Sequence, residues 1–134
     1  MNVYIDTSAF LAVLNHDDDH HAEAKAIWCY LLDTGASLGT NSYVLVETVA
    51  VLQRRLGLDA VRTFFGAIYP LLEIVWVDDA LMTLAIPLLL TANRTNLSMV
   101  DCTSFLVMQR LQLKKVFAFD RHFAEQGLAV LEAK

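Results

Sequence analysis

The stretch Val3-Tyr4-Ile5-Asp6-Thr7-Ser8 joins a short apolar strand to the start of a helix, with an acidic residue at the junction. A similar order returns later, where Val116-Phe117-Ala118-Phe119 is followed by Asp120 and a short helical turn. Between these two segments, runs typical of buried strands alternate with segments of helical periodicity. Strands that alternate with helices predict an α/β fold, with a parallel sheet and helices on both of its faces.

The predicted elements follow one another in a regular order. We expect strands in five segments: Asn2 to Ile5, Ser37 to Thr40 (weakly), Ile74 to Val77, Val116 to Phe119 and Leu128 to Leu131. We expect helices in seven segments: Thr7 to Asn15, around Ala24 to Leu31, Ser42 to about Leu56, Asp59 to about Ile68, Asp79 to about Asn93 with a bend at Pro87, Ser98 to about Leu113, and a short turn after Asp120. Side chains that favour helix N-caps precede three of these helices: one of Thr40, Asn41 or Ser42, then Asp59, then Asp78 or Asp79.

Four carboxylates lie where a soluble protein rarely puts a charge, at the ends of apolar segments or inside them: Asp6, Glu47, Asp101 and Asp120. Burying a carboxylate without a partner is costly. The sequence offers no matching set of embedded lysines or arginines. A bound divalent cation is the simpler way to balance these charges.

These carboxylates are expected to meet at one edge of the sheet. Asp6 and Asp120 each follow a strand directly, and ligands of parallel α/β sheets gather at the carboxyl ends of strands. Asp101 opens a helix that can face the same edge, and Glu47 lies on a helix face apolar enough to pack on the sheet. Oxygen ligands without a paired histidine or cysteine favour Mg²⁺ or Mn²⁺ over Zn²⁺. Such a site suits phosphodiester hydrolysis, because the ion activates water and stabilises the attacking and leaving oxygens.

Each carboxylate also has an ordinary structural interpretation. Asp6 and Asp120 can cap the helices that follow them, and Ser98-Met99-Val100-Asp101 has the form of a capping box. Glu47 has no capping role in the middle of a helix, but it can pair with an arginine two turns later. The occurrence of all four together favours the catalytic interpretation.

Length and composition fit one domain spanning residues 1–134, with 56% hydrophobic residues and a net charge of −5. We expect no membrane span and no secretion signal. Cys29 and Cys102 belong to no Cys/His cluster, which favours a reduced, cytoplasmic setting. Without the four embedded carboxylates, acids and bases nearly balance. The acidic total therefore argues against tight nonspecific nucleic-acid binding, but not against a metal-dependent nuclease.

Other features have simpler explanations. The run Asp17 to His21 is interpreted as a solvated loop before a helix, and His122 as a surface or packing residue. Trp28, Trp76 and the pair Phe64-Phe65 are expected in the core or at a partner surface. The basic side chains of the second half are taken as solvated.

In these residues the chain resembles the PIN-domain ribonucleases, and specifically the VapC-type toxins of prokaryotic toxin–antitoxin pairs. The likeness covers nearly the whole chain and rests on four segments: Tyr4-Ile5-Asp6-Thr7-Ser8-Ala9-Phe10, Val44-Leu45-Val46-Glu47-Thr48, Asp101-Cys102-Thr103-Ser104-Phe105 and Phe119-Asp120-Arg121-His122-Phe123. Their order and approximate spacing are those of the family, and no member of the acidic quartet is missing.

The resemblance implies a three-layer α/β/α fold around a parallel sheet of five strands. It also implies a Mg²⁺ or Mn²⁺ site, with Asp6, Asp101 and Asp120 as ligands and Glu47 as a ligand or close neighbour. Polar residues adjacent to these carboxylates in sequence would assist: Thr7, Ser8, Thr103 and Ser104. The family's activity is endoribonucleolytic, often on structured RNA such as tRNA or rRNA. Its members usually form homodimers and are inhibited by a small cognate antitoxin whose tail occupies a groove near the acids.

We therefore predict a metal-dependent endoribonuclease, a VapC-like toxin, that acts as a homodimer and is held inactive by an antitoxin. Helices near Trp28 and Phe64-Phe65 are expected to contact the second copy or the antitoxin. Three alternatives stay open: a housekeeping PIN nuclease of RNA processing or a structure-selective DNA nuclease, a binding module with a vestigial acidic site, and a phosphotransfer domain that uses Asp6 as nucleophile. Ser8 stands where the last of these needs a second acid.

Overall fold

A computed structural model describes residues 1–133. Five strands alternate with helices along the chain: β1 Val3–Ile5, β2 Leu38–Asn41, β3 Leu72–Val75, β4 Lys115–Phe117 and β5 Ala129–Val130. Seven α-helices accompany them: α1 Thr7–Leu14, α2 His21–Asp33, α3 Ser42–Leu56, α4 Leu58–Thr63, α5 Asp79–Ala92, α6 Met99–Arg110 and α7 His122–Glu125. The alternation predicted from the sequence is confirmed.

The five strands form one parallel sheet in the order β3-β2-β1-β4-β5. β1 is central, since Tyr4 pairs with Gly39 of β2 on one side and with Val116 of β4 on the other. In a parallel sheet all carboxyl ends lie at the same edge. Residues that directly follow β1, β2 and β4 are therefore brought together there.

Both faces of the sheet are buried, which gives the three-layer arrangement. Val3 and Ile5 point into an apolar cluster formed with residues of α1, α2, α3 and the segment after α4. Tyr4, between them, joins a second cluster formed with residues of α5, α6 and α7. This alternation along β1 follows from the two-residue period of a strand, and it explains why the strand sequence is apolar throughout.

The second strand owes its weak sequence signal to Gly39. A Cβ atom at this position would collide with the side chain of Met1 and with the Glu73 carbonyl oxygen of β3. Glycine therefore lets β2 sit between its neighbours despite its low strand propensity. The strand continues one residue further than predicted, to Asn41, whose side chain caps α3 by accepting hydrogen bonds from the N–H groups of Tyr43 and Val44.

The third strand lies two residues earlier than predicted, at Leu72–Val75. A tight 3₁₀ turn at Tyr69–Leu71, which contains Pro70, passes directly into it. Trp76 thus falls beyond the strand and is 67% exposed, so a place in the core is wrong for this residue.

The prediction that Asp59 caps the fourth helix is wrong as well. The helix begins at Leu58 after Gly57, and Asp59 instead pairs with Arg62 in the same helix at 2.7 Å. It continues as a π-helical turn, Phe64–Ile68, which buries Phe64 but leaves the Phe65 side chain exposed. Within residues 1–133, no helix combines the length and apolar character needed to span a bilayer.

Candidate active site

Asp6 lies where β1 passes into α1, at the centre of the sheet edge. Its backbone N–H donates to the Phe117 carbonyl oxygen at 3.0 Å, which fixes it against the end of β4. Its Oδ2 caps α1 by accepting hydrogen bonds from the Ser8 N–H at 3.1 Å and the Ser8 hydroxyl at 2.6 Å. The residue is buried.

Asp101 lies in the first turn of α6 and takes part in the capping box that the sequence predicted. Its N–H donates to the Ser98 hydroxyl oxygen, and its Oδ2 accepts from the Ser98 N–H, both at 3.0 Å. Asp120 follows β4, and its Oδ1 accepts a hydrogen bond from the His122 N–H at 2.9 Å. The capping interpretation is therefore confirmed for Asp6 and Asp101. The N-cap of α7 is Arg121, which has no side-chain cap, so Asp120 holds the turn before this helix and does not cap it.

These hydrogen bonds nevertheless leave each aspartate with one unused oxygen. Within residues 1–133, Asp6 Oδ1, Asp101 Oδ1 and Asp120 Oδ2 accept no hydrogen bond. None of these oxygens is sealed from solvent, since in the described residues the only fully enclosed side-chain oxygen or nitrogen without a partner is Thr40 Oγ1. Cap and metal ligand are therefore compatible roles: one oxygen holds the backbone and the other is free to bind.

Glu47 lies on α3, half-buried, on the same side of the molecule as the aspartates. Among the described residues it makes no ion pair with Arg54 or Arg55, so the interpretation of Glu47 as the partner of an arginine is wrong. Thr7 at the start of α1 acts on it instead, since its hydroxyl opposes the rise that burial causes in the pKa of Glu47. This contact connects α3 to the segment that carries Asp6.

Asp6 and Glu47 each lie within electrostatic range of Asp101 and Asp120, whereas among the described residues the close group of possible metal ligands contains Asp101, Asp120 and His122 but neither Asp6 nor Glu47. Burial raises the pKa of Asp6 from its ordinary value of 3.8 to about 6, and the charges of Asp101 and Asp120 act in the same direction against hydrogen bonds from Ser8. Burial also raises the pKa values of Glu47 and Asp101, and the charge of Asp120 adds to both increases. These interactions require short separations, because charges further apart are screened.

The cluster carries more negative charge than its surroundings balance. Oxygens of Asp101 and Asp120 come within 4.8 Å of each other and of a ring nitrogen of His122. Two like charges about 4 Å apart repel by roughly 4 kcal/mol at an effective dielectric constant near 20. The donor set consists mainly of carboxylate oxygens, which suits Mg²⁺ or Mn²⁺.

His122 is buried beside Asp120, so it packs as predicted and the surface alternative is wrong. Both of its ring nitrogens already have neighbours. Nε2 lies 2.9 Å from the Asn96 carbonyl oxygen, and Nδ1 lies 3.4 Å from a guanidinium nitrogen of Arg94 and 3.5 Å from Glu125. The ring thus ties the loop before α6 to α7. Sequence reasoning missed this role of Arg94, which pairs with a glutamate 31 positions away.

The polar residues predicted to assist lie around the cluster in two pairs of contacts. Ser8, besides bonding Asp6, accepts a hydrogen bond from the Phe119 N–H at 2.9 Å, so its hydroxyl joins α1 to the end of β4. The Thr7 hydroxyl accepts from the Thr48 hydroxyl of α3 at 3.1 Å. Both contacts hold the first turn of α1 in place beneath Asp6.

A second set joins α6 to the sheet. The Asn41 amide donates to the Thr103 hydroxyl oxygen at 3.1 Å, and the Tyr4 hydroxyl donates to the Ser104 oxygen at 2.9 Å. Sequence reasoning named Thr103 and Ser104 but missed Tyr4 and Thr48, whose bonding partners are distant in the chain. A cavity of about 690 Å³ lies at the opposite edge of the sheet, lined in part by Asn2 and Lys114, and contains none of the four carboxylates.

Comparison with known proteins gives consistent relatives. The family model described as PIN domain matches residues 3–127. The chain is 31% identical over 128 residues to the 23S rRNA-specific endonuclease VapC20 of Mycobacterium tuberculosis, a match that covers 93% of this chain and 94% of that protein.

Solved structures agree in fold. The crystal structure of Mycobacterium tuberculosis VapC20, described as a sarcin–ricin loop cleaving toxin, is similar with a TM-score of 0.85 and 27% identity, over 97% of this chain and 98% of that one. FitAcB from Neisseria gonorrhoeae has a TM-score of 0.68 at 15% identity, over 96% of both chains. PAE2754 from Pyrobaculum aerophilum has a TM-score of 0.59 at 16% identity, over 97% of this chain and 88% of that one. The last two likenesses concern the fold alone.

Proposed function

Since this chain belongs to the PIN-domain family, among the VapC-type toxins, we propose that it is a metal-dependent endoribonuclease. The observation that carries this proposal is the unused oxygen on each of Asp6, Asp101 and Asp120, whose other oxygen accepts a hydrogen bond from a backbone N–H. A structural cap needs no cluster of like charges, whereas a cation site does.

The proposed substrate is structured RNA. The relatives are described as acting on 23S rRNA and, in the solved structure, on the sarcin–ricin loop. Ribosomal RNA is therefore the first substrate to test for this chain. DNA is the natural control, since the alternative of a DNA nuclease rests on the same acidic cluster.

The proposed mechanism assigns a separate task to each carboxylate. Asp6, Asp101 and Asp120 would hold Mg²⁺ or Mn²⁺, which supplies Lewis-acid stabilisation of charge on the phosphodiester oxygens. Glu47 would orient the attacking water and accept its proton, a role supported by its partial exposure and its raised pKa. Ser8 and Ser98 would position Asp6 and Asp101 by their hydrogen bonds, as partners of metal ligands commonly do.

The proposed partners are a second copy of the chain and a small antitoxin, in the cytoplasm. Exposed apolar side chains support a surface that a partner covers: Trp76, Leu84 and Leu90 are each more than half exposed. In the region first expected to make these contacts, Phe64 is buried and Trp28 packs against the core, whereas Phe65 and, on the neighbouring turns, Tyr30 and Leu58 are exposed.

RNA cleavage by the purified chain tests the function. The wild type should cut rRNA with Mg²⁺ or Mn²⁺ and should stop when EDTA is added. Asp6→Asn should lower the rate of cleavage by at least about a hundredfold, since mutation of residues that only support metal ligands already lowers activity by about 10- to 100-fold. Asp33→Asn is the matched control, because Asp33 is exposed at the end of α2. Wild-type cleavage by the Asp6 variant would remove the catalytic assignment and favour a binding module.

A further inference from the structure

Two aromatic rings are stacked at the segment that joins β4 to Asp120. The imidazole of His20 lies on the phenyl ring of Phe119 with their centroids 4.5 Å apart and an angle of 13° between their planes. Phe119 precedes Asp120 in the chain, and its N–H donates to the Ser8 hydroxyl, which in turn donates to Asp6. The backbone of Phe119 is therefore linked to two of the carboxylates, to Asp120 along the chain and to Asp6 through Ser8.

The loop before α2 holds His20 in this position. Asn15 Oδ1 accepts a hydrogen bond from the Asp17 N–H at 3.0 Å, and Asp18 Oδ1 accepts one from the His20 N–H at 2.8 Å. The Nδ1 of His21 lies 2.7 Å from the Ala12 carbonyl oxygen, which fixes the end of the loop against α1. The loop is thus ordered by its own contacts and not by the His20 side chain.

The stack leaves one face of the imidazole open. His20 is an exposed residue, whereas Phe119 is half-buried. Because Phe119 covers one face of the imidazole, the exposed area of the ring lies on its other face and its edges. Within residues 1–133, neither ring nitrogen of His20 makes a hydrogen bond or an ion pair.

We propose that His20, backed by Phe119, is a stacking platform for one nucleobase of the RNA, next to the phosphodiester that is cut. This inference rests on the proposed function. Sequence-tolerant stacking of unpaired bases on aromatic side chains, histidine included, is a common way of binding single-stranded RNA. A platform beside the carboxylates would fix the nucleotide whose phosphate enters the cluster.

The charges around the loop favour a base over a phosphate as the group bound. Asp17 and Asp19 are exposed neighbours of His20, and their carboxylates would repel a phosphate. A neutral base avoids this repulsion. The platform therefore binds the base of the nucleotide, which the carboxylates of the loop do not repel.

The first experiment compares four proteins on a single-stranded RNA that contains the site cut by the wild type. His20→Ala should raise KM roughly tenfold, with a smaller change in kcat, since removal of a stacking ring typically costs several-fold or more. His20→Phe keeps a ring and should restore KM. His16→Ala is the matched control, because His16 is exposed in the same loop but its ring contacts His21 and not Phe119. Removal of single bases around the cut should reveal one position that weakens the wild type and leaves His20→Ala unaffected.

A second measurement does not require cleavage. With Ca²⁺ in place of Mg²⁺, RNA that carries 2-aminopurine at the same positions should be quenched by the wild type and by His20→Phe, but not by His20→Ala. Quenching without any cleavage would refute the proposed function and keep the platform. Cleavage with the same KM and quenching in His20→Ala would refute the platform alone. Unchanged RNA binding together with weakened antitoxin binding in His20→Ala would also overturn it, in favour of a protein contact.

Discussion

The helices α5 and α6 pack against each other on one face of the sheet, yet only α6 buries polar side chains together with apolar ones. In α6 the buried residues include Asp101, Thr103 and Ser104. In α5, which is almost entirely apolar, only Leu81 and Ala85 are fully buried. Polarity therefore does not decide which side chains these two helices bury.

The difference in buried side chains between α5 and α6 follows from the partners that each helix meets. The polar groups of α6 can be buried because β1 and β2 supply hydrogen-bond partners, Tyr4 and Asn41, at their carboxyl ends. The outer face of α5 finds no partner within residues 1–133, and Leu84 and Leu90 are exposed. Large apolar side chains that are exposed on one helix in this number favour a binding surface. We propose that α6 serves the site and that α5 is available to a partner.

The strongest test of this contrast is Asp101→Asn in α6. The change removes a proposed ligand charge while keeping the size of the side chain, so we expect RNA cleavage to fall by at least about a hundredfold with little change in fold. Asp79→Asn, in the first turn of α5, is the matched variant and should cleave normally. Comparable losses in both would show that charge at either helix start matters only for stability.

Dependence of stability on pH is the next largest effect expected. The folded chain holds a proton on Asp6 more tightly than the unfolded chain does, because its pKa rises from 3.8 to about 6. Without divalent cations, the free energy of unfolding should therefore fall as pH rises from about 4 to about 6, by at most roughly 3 kcal/mol for this residue.

Urea denaturation in EDTA at several pH values measures this dependence. Asp6→Asn should flatten the curve, whereas Asp79→Asn on α5 should leave it unchanged. Added Mg²⁺ should recover stability more at pH 7 than at pH 5, because the ion competes with protons for the same oxygens. A wild-type curve that rises between pH 4 and 6, and rises equally in Asp6→Asn, would contradict the raised pKa.

Two caps provide a smaller and closely matched comparison. Ser98 caps α6, and Asp78 caps α5 by accepting from the Leu81 N–H at 2.9 Å. Replacing either residue with alanine should cost about 1 kcal/mol of unfolding free energy. Only Ser98→Ala should also slow RNA cleavage, because Ser98 holds Asp101. Equal cleavage by the two variants at matched stability would show that this cap does not position the carboxylate.

The sequence predicted most of this arrangement for physical reasons. Local signals in the sequence indicated the candidate site. Asp6 and Asp120 come after apolar strand segments, and Glu47 is an acidic residue in a helix where it has no capping role. The parallel sheet then determines which edge they share. Two features could not be predicted because they depend on partners distant in the chain: the hydrogen bond between Asn41 and Thr103, and the contacts of His122 with Arg94 and Asn96. The exposure of Trp76 was missed because β3 ends at Val75, two residues earlier than predicted. The stack of His20 on Phe119 joins residues about a hundred positions apart, so no local pattern reports it.

The smallest expected effect concerns the exposed face of α5. Leu90 is 71% exposed, so Leu90→Gln should change the unfolding free energy of the monomer by no more than about 0.5 kcal/mol. If a second copy covers this face, the same change should shift the chain towards the monomer in sedimentation velocity. Thr83→Gln, also exposed on α5 but already polar, is the control and should leave assembly unchanged. A wild-type chain that sediments as a monomer at all concentrations, with Leu90→Gln indistinguishable from it, would leave the antitoxin as the remaining occupant. Binding of the antitoxin to the two variants would then decide whether α5 is a binding surface at all.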